Sequence, residues 1–334
     1  MSFNDVIKSK LEETSKKVDG YIQSLLMTGE PKQLYDAARH LLDSGGKRIR
    51  PYILIKSCEL VGGDPSHAIP FAAAVETLHN FTLIHDDIMD NDRLRRGSPT
   101  VHVKWGVPIA ITSGDLLFAK TYESILKSRN NIMLIPNRFI DCIERITMAT
   151  ISICEGQAMD LSFPNFNVNE ADYIRMIDGK TASLFKACAE IGGIVGGGEQ
   201  AEIRVLGEFA WNAGITFQLM DDYLGLIGEE KTLGKPIGND IREGKKTLII
   251  IHALSQASPD ERERIRQILG NPHASKKDVE NFITLIKNLG SLEYVKNVAE
   301  KYANEAGSKL SYFAESEAKH DLSDIIRFFL DRVY

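Results

Sequence analysis

Two short stretches of this chain gather carboxylates that folding alone does not require. Residues 83–96 read LIHDDIMDNDRLRR, with four Asp inside seven positions and three Arg in the next four. If one helix runs through Asp86, Asp87 and Asp90, then Asp86 and Asp90 stand one above the other on a face, with Asp87 beside them. Like charges at that spacing repel, so the arrangement calls for cations between them. Mg²⁺ suits the role, because it binds through one or two carboxylates and completes its shell with water and substrate phosphates. A solvated acidic helix end is the default reading of any single Asp, but the preceding FTLI marks this helix as buried. A calcium loop is excluded: the Gly at loop position six and the closing Glu are missing whichever Asp starts the count.

The second stretch, FQLMDDYLG at 217–225, again closes an apolar helical run with an acidic pair, and Gln218 sits one turn before it. Two such pairs suggest a shared cavity, with Asp86 and Asp87 facing Asp221 and Asp222 across it and a metal-bound diphosphate between them. Cations complete the pattern: GGKRIR at 45–50, Arg95–Arg96, Gly179–Lys180–Thr181, Lys235 and Lys245–Lys246. Arg offers phosphate oxygens a planar fork and Lys a mobile point charge. An isolated Lys is ordinarily solvent-facing, whereas the glycines before Lys47 permit close approach of backbone to a ligand. The chemistry implied is ionisation of a carbon–oxygen bond, with metal and cations stabilising the departing diphosphate. Apolar walls suit a hydrocarbon tail and keep water from a carbocation. Nucleotide loops fail the same inspection: GKT at 179–181 lacks the upstream Gly of a P-loop, and GGIVGGG does not match GxGxxG.

The elements that must hold these residues are helical. Residues 3–26 repeat Val6, Leu11, Val18, Ile22 and Leu25 on one face, and PKQLYDAARHLLDSGG has a start at Pro31 and a stop at Gly45–Gly46. Further helices are expected near 51–61, 68–90, 107–127, 136–161, 170–192, 201–226, 244–256, 259–269, 275–288, 290–306 and 308–331. Residues 68–84 and 209–220 are apolar around the whole circumference, as central helices are. No alternating strand pattern and no linker stands out, which gives one all-α domain over 1–334. The net charge of −6 argues against a general nucleic-acid surface, and four scattered Cys without a CxxC pair suggest neither zinc ribbon nor disulfide framework. Without a signal-peptide core or an 18-residue apolar run, the plain expectation is a cytoplasmic protein with no transmembrane segment.

The segments GGKRIRP (45–51), LIHDDIMDNDRLRRGSPTVH (83–102), EGQAMD (155–160), GKTASLF (179–185) and FQLMDDYLGLIGEEKTLGKPIGNDIREGKKT (217–247) resemble the trans-isoprenyl diphosphate synthase family. The resemblance covers residues 30–250 by motif, and the helical layout extends it to the whole chain. It implies a helical bundle around a deep central cavity, a homodimer or higher homo-oligomer, and three Mg²⁺ ions per site with substrate bound. It makes Asp86, Asp87, Asp90 and Asp221 metal ligands, with Asp222 in support. Arg95 would hold the allylic diphosphate with Lys180, Lys235 and Lys245. Lys47, Arg50, Arg96 and His79 would take isopentenyl diphosphate, while Thr181 and Gln218 would lie near the reacting carbons. The released diphosphate would then accept the proton. One departure stands out: Gly225 replaces the third Asp that many members carry, with Glu229 or Asp240 as possible substitutes. An aromatic Phe81 five positions before Asp86, with Leu78 and Thr82 around it, matches archaeal members that make the twenty-carbon geranylgeranyl product. Farnesyl and longer (hexaprenyl) products are alternatives, as is a non-catalytic partner subunit of a heteromeric synthase. A terpene cyclase would need no second diphosphate site.

Overall fold

The computed structural model describes residues 3–129, 136–227 and 239–331. It divides into two compact units, one of Met1–Thr147, Ala187–Gly207 and Tyr312–Asp324, the other of Met148–Lys186, Glu208–Ser311 and Ile325–Tyr334. Both are helical, and the expectation of an all-α chain holds. Among the described residues the only strands are Leu94–Arg95 (β1) and Ser98–Pro99 (β2). No described helix is long and apolar enough to cross a membrane.

The first unit is built on α4 (Pro65–Met89), which packs against α3 (Ile49–Leu60), α6 (Val107–Ser128) and α1 (Phe3–Leu26). Asp64 starts α4 by accepting the Ser66 N–H at 2.8 Å, and Pro65 occupies the first helical position. Ala72, Ala73 and Ala74 are wholly buried, and their small size lets neighbouring helices close on this one. The helix stops where the sequence allows: Asn91 is left-handed (φ 54°), and the Asp92 N–H reaches back to the Asp87 carbonyl at 2.9 Å. Such a C-terminal motif satisfies the last carbonyls and fixes the direction of Asp86–Asp90 on the final turns. α1 buries Ile7, Leu11, Val18, Ile22 and Leu25. Val6, expected on that face, is 37% exposed, because the helical repeat brings Ile7 rather than Val6 into line with Leu11 and Val18.

Between α4 and α5 (Val101–Trp105) lies a hairpin that sequence reading did not foresee, pairing Leu94 with Pro99 and Arg95 with Ser98. Its central residues Arg96 and Gly97 both have positive φ, 54° and 76°. That is the turn geometry that favours Asn-Gly or Gly-Gly, so an arginine there is unusual.

The second unit packs α8 (Glu170–Ile177) with much of α10 (Gln200–Ile227), α12 (Leu248–Gln256), α13 (Pro259–Ile268), α14 (Lys276–Asn288) and α15 (Ser291–Leu310). Tyr173, Leu219, Ile249, Phe282 and Val295 are buried in its core. Capping boxes at Asn169/Asp172, Ser258/Glu261 and Ser275/Asp278 start α8, α13 and α14. The expected helix 170–192 is interrupted by a wide π turn at Asp178–Ala182 before α9 (Ser183–Val195). The expected helix 244–256 begins only at Leu248, because Gly244 (φ 76°) terminates the short α11 (Asn239–Glu243). The last expected helix starts at Glu317 (α16, Glu317–Leu330) rather than 308.

Candidate active site

In the first unit α4 carries the DDxxD residues to its C-terminal end. Asp86 and Asp90 are half-buried on successive turns, and Asp87 is buried at 1% exposure. Asp87 does a distinct job: its Oδ1 accepts the Arg95 Nε–H at 2.5 Å, and Asp92 approaches the same guanidinium at 3.5 Å. Burial works against the Arg95 charge, but Asp87 and Asp92 outweigh it and hold the guanidinium above its ordinary pKa. Arg95 is thus an oriented cation beside the carboxylates.

The GGKRIR segment forms a turn rather than a basic surface strip. Arg48, left-handed at φ 49°, points inward, whereas Lys47 is exposed and Arg50 half-buried. A Cβ on Gly46 (φ 144°) would sit 2.6 Å from Arg48 Nη1 and 3.0 Å from the Arg96 guanidinium carbon, so only glycine fits. Arg96 donates through Nη1 to the carbonyls of Leu41 (3.0 Å) and Gly45. Arg50 Nη1 lies 3.3 Å from His79 Nε2. Since guanidinium only donates, Nε2 accepts and the imidazole proton sits on Nδ1. Burial, then Arg50, Arg96, Arg95 and Arg48, push the His79 pKa well below its usual value, so it is neutral. Burial also lowers Arg96, to about 10. A neutral histidine bonded to Arg50 and under the positive field of Arg96, Arg95 and Arg48 marks this turn as locally cationic.

The second unit gathers the other predicted residues. Thr181 Oγ1 donates to Gln218 Oε1 (2.7 Å), Gln218 Nε2 to Asp222 Oδ1 (2.8 Å), and Tyr173 OH to Asp222 Oδ2 (2.6 Å). The chain of bonds fixes which way the Gln218 amide faces. Burial pushes Asp222 up to about 7, against the pull of Tyr173 and Gln218. Asp221, by contrast, is exposed. Lys180 stands in the π turn and binds Asp160 Oδ2 at 2.6 Å. That turn is seated by Trp211 Nε1 on Asp178 (2.6 Å) and by Gly156, whose Cβ would come within 2.3 Å of the Lys180 nitrogen. Lys245 pairs with Glu243 at 3.0 Å and Asp240 at 3.7 Å. Lys235 and Glu229 lie outside the described residues. A Cβ on Gly225 would lie 2.9 Å from Asp240 Oδ2, so the Asp240 carboxylate stands beside the backbone position that carries a third Asp in many members.

Sequence reading assigned no role to Arg48, Glu76, Asp160 or Tyr173. Asp160 closes the EGQAMD segment and so carried a signal; Tyr173 and Glu76 had none beyond being polar residues in apolar helices. A separate cavity of about 650 Å³ beside α13 and α14, lined by Arg264, Asn271, Asn281, Phe282, Thr284 and Asn288, contains none of the predicted residues.

All-α architecture with a DDxxD helix end and a second acidic helix end defines an isoprenoid-type synthase, and the comparisons agree. Residues 31–286 match the polyprenyl synthetase family model, and the chain belongs to that family. It is 46% identical over 305 residues to the geranylgeranyl diphosphate synthase of Saccharolobus solfataricus, covering 91% of this chain and 88% of that one. The crystal structure of geranylgeranyl pyrophosphate synthetase from Pyrococcus horikoshii superposes with a TM-score of 0.93 at 41% identity, over 99% of this chain and 100% of that one. A polyprenyl synthase from Caulobacter crescentus, solved with calcium and isoprenyl diphosphate, has a TM-score of 0.89 at 32% identity over 99% of this chain and 98% of its own.

Proposed function

We propose that the chain, acting as one domain over residues 1–334, condenses isopentenyl diphosphate head-to-tail with dimethylallyl, geranyl and farnesyl diphosphates to give all-trans geranylgeranyl diphosphate. The observation that carries this reading is the separation of two cation sets within one unit. Arg95 is held by the aspartates of the DDxxD segment, while Arg96, Arg50 and His79 gather at the GGKRIR turn. Two diphosphates have somewhere to bind. Kinship with geranylgeranyl diphosphate synthases supports the choice of substrates and product.

In this reading Asp86, Asp90 and Asp221 hold divalent metal, taken as three Mg²⁺ ions with substrate bound, and Asp87 contributes mainly by orienting Arg95. The donors fit: all are carboxylate oxygens, as a hard cation prefers. Among the described residues no group of three His, Cys, Asp or Glu could hold a metal ion by itself; substrate phosphates and water would complete the shell, as Mg²⁺ commonly requires. Bound Mg²⁺ supplies Lewis-acid stabilisation of the departing diphosphate. Arg95, Lys180, Lys235 and Lys245 hold the allylic diphosphate; Lys47, Arg50, Arg96 and His79 hold isopentenyl diphosphate. Thr181 and the fixed Gln218 amide present dipoles to the positive charge that develops on the allylic carbons. The released diphosphate takes the proton. Val107, Ile111, Phe118 and Leu126 form an exposed apolar stripe on α6 that suits a homodimer, and the enzyme would work in the cytoplasm.

Omitting each substrate in turn tests the reading. Diphosphate release requires both substrates here; cyclised or hydrolysed product from the allylic diphosphate alone would point to a terpene cyclase. Two variants probe finer assignments. Arg96→Ala is expected to raise KM for isopentenyl diphosphate about tenfold or more, and Arg95→Ala to act chiefly on the allylic substrate. Equal effects on both substrates would remove the distinction. Asp240→Ala should slow turnover about tenfold, the scale for a supporting residue of a metal site, and adding Gly225→Asp to it should restore part of the loss. Normal activity in Asp240→Ala would leave the second motif with two working carboxylates.

A further inference from the structure

We propose that Glu76 and Asp19 are positioning residues for isopentenyl diphosphate, acting through Arg48 to tie the N-terminal helix to the diphosphate-binding turn. The inference rests on the placement of that substrate at Lys47, Arg50, Arg96 and His79. Arg48 belongs to the same basic run, yet it is 3% exposed and its guanidinium is used up by the protein. Nε donates to Asp19 Oδ1 (2.7 Å), Nη1 to Glu76 Oε1 (2.9 Å) and to the Gly45 carbonyl (3.1 Å), and Nη2 to the Leu42 carbonyl (2.9 Å). A buried cation with four such bonds has no fork left for a phosphate.

What it does instead is set the turn. The Gly45 carbonyl accepts from Arg48 and also from Arg96, and both guanidiniums border the space above Gly46. The position of Arg48 therefore decides where the carbonyl that grips Arg96 lies. Arg48 also keeps its backbone in the left-handed region, φ 49° and ψ 38°, a conformation that persists when surrounding contacts over-determine it. Those contacts are the two carboxylates. Glu76, 2% exposed on α4, is further fixed by Asn80 Nδ2 at 3.0 Å, and it is the leading favourable charge for Arg96. Asp19 lies on α1, before the 31–286 segment that matches the family, and also accepts from Ser15 Oγ at 2.8 Å. Arg95 is anchored separately by Asp87 and Asp92, so the device acts on one substrate and not on the other.

The test compares Glu76→Gln and Asp19→Ala with Lys47→Ala and Arg50→Ala. Each is measured by steady-state kinetics for both substrates and by calorimetric titration with isopentenyl diphosphate under chelator. Asp19, with a third of its side chain exposed, can be replaced without burying a void. Asp19→Ala, which loses a charge-assisted hydrogen bond, and Glu76→Gln, which keeps an acceptor but strips the buried counter-charge that Arg48 and Arg96 share, should each weaken isopentenyl diphosphate about tenfold in KM and in calorimetric affinity. The KM for farnesyl diphosphate and kcat should stay within about twofold, because neither group touches reacting atoms. Asp19→Asn, whose amide oxygen still accepts from Arg48, should recover most of the affinity. If Lys47→Ala and Arg50→Ala weaken binding but the Glu76 and Asp19 variants do not, the positioning role is overturned while the substrate placement stands. No loss in the Lys47 and Arg50 variants overturns both. Parallel loss for both substrates in the Glu76 and Asp19 variants also overturns the proposal, since that is what simple destabilisation would do.

Discussion

Asp86→Ala is expected to lose turnover about a thousandfold while the protein stays folded, the scale on which removing a directly engaged transition-state group acts. Asp86 is half-buried near the end of α4, and its neighbour Asp90 caps the same helix. Replacing one carboxylate relieves repulsion between like charges one turn apart, so stability is expected to hold or rise slightly. Activity falls because the allylic diphosphate then departs without the cation that Asp86 helps to hold. Circular dichroism and thermal melting alongside the rate separate the two quantities. Near-normal turnover at saturating Mg²⁺ would remove Asp86 from the metal site. Loss of folding would mean that the acidic cluster is structural.

The second large effect is on product rather than rate. Phe81→Ala is expected to shift the main product beyond twenty carbons, by at least one five-carbon unit. Phe81 is half-buried on α4; its ring stands edge-on to His85 at 4.8 Å and lies 5.5 Å from Phe118 of α6. Leu78, three positions earlier, is wholly enclosed, and the Thr82 hydroxyl turns back to the His79 carbonyl at 2.8 Å. Of the three residues expected to limit the tail, Phe81 therefore offers the largest volume to remove. Truncating it removes the ring that faces Phe118 of α6, and Phe81→Ala with Phe118→Ala should lengthen products further. Chromatography of the dephosphorylated prenols reads this directly. An unchanged profile from an active Phe81→Ala enzyme would put the floor elsewhere, with the apolar α6 as the next place to look.

The chemistry was legible in the sequence where it depended on spacing along one helix. Asp86 and Asp90 at four-residue separation, and Gln218 one turn before Asp222, follow from helical periodicity, and the helices run as that periodicity requires. What escaped depended on backbone sign or on tertiary partners. Lys47, Arg48 and Arg50 look alike as letters; with the left-handed step at Arg48, that guanidinium is buried while Lys47 is exposed and Arg50 half-buried. Arg96 is assigned to isopentenyl diphosphate from its motif alone, but nothing local shows that the Arg96–Gly97 turn folds it onto the Gly45 carbonyl. Tyr173 meets Asp222 from 49 residues away, and no local pattern announces such a bond. The π turn at 178–182 arises where Gly156 lets α7 (Pro136–Ser162) approach the Lys180 backbone, a contact between distant segments that interrupts an otherwise regular helical pattern.

The central claim is that one chain joins two diphosphate substrates and stops at twenty carbons. The most direct measurement is mass spectrometry of the prenols formed by the purified protein from carbon-13-labelled isopentenyl diphosphate, unlabelled farnesyl diphosphate and Mg²⁺. The account predicts a twenty-carbon all-trans alcohol carrying one labelled five-carbon unit, formed only when both substrates and the metal are present. Absence of any labelled, elongated product with dimethylallyl, geranyl or farnesyl primer would contradict it.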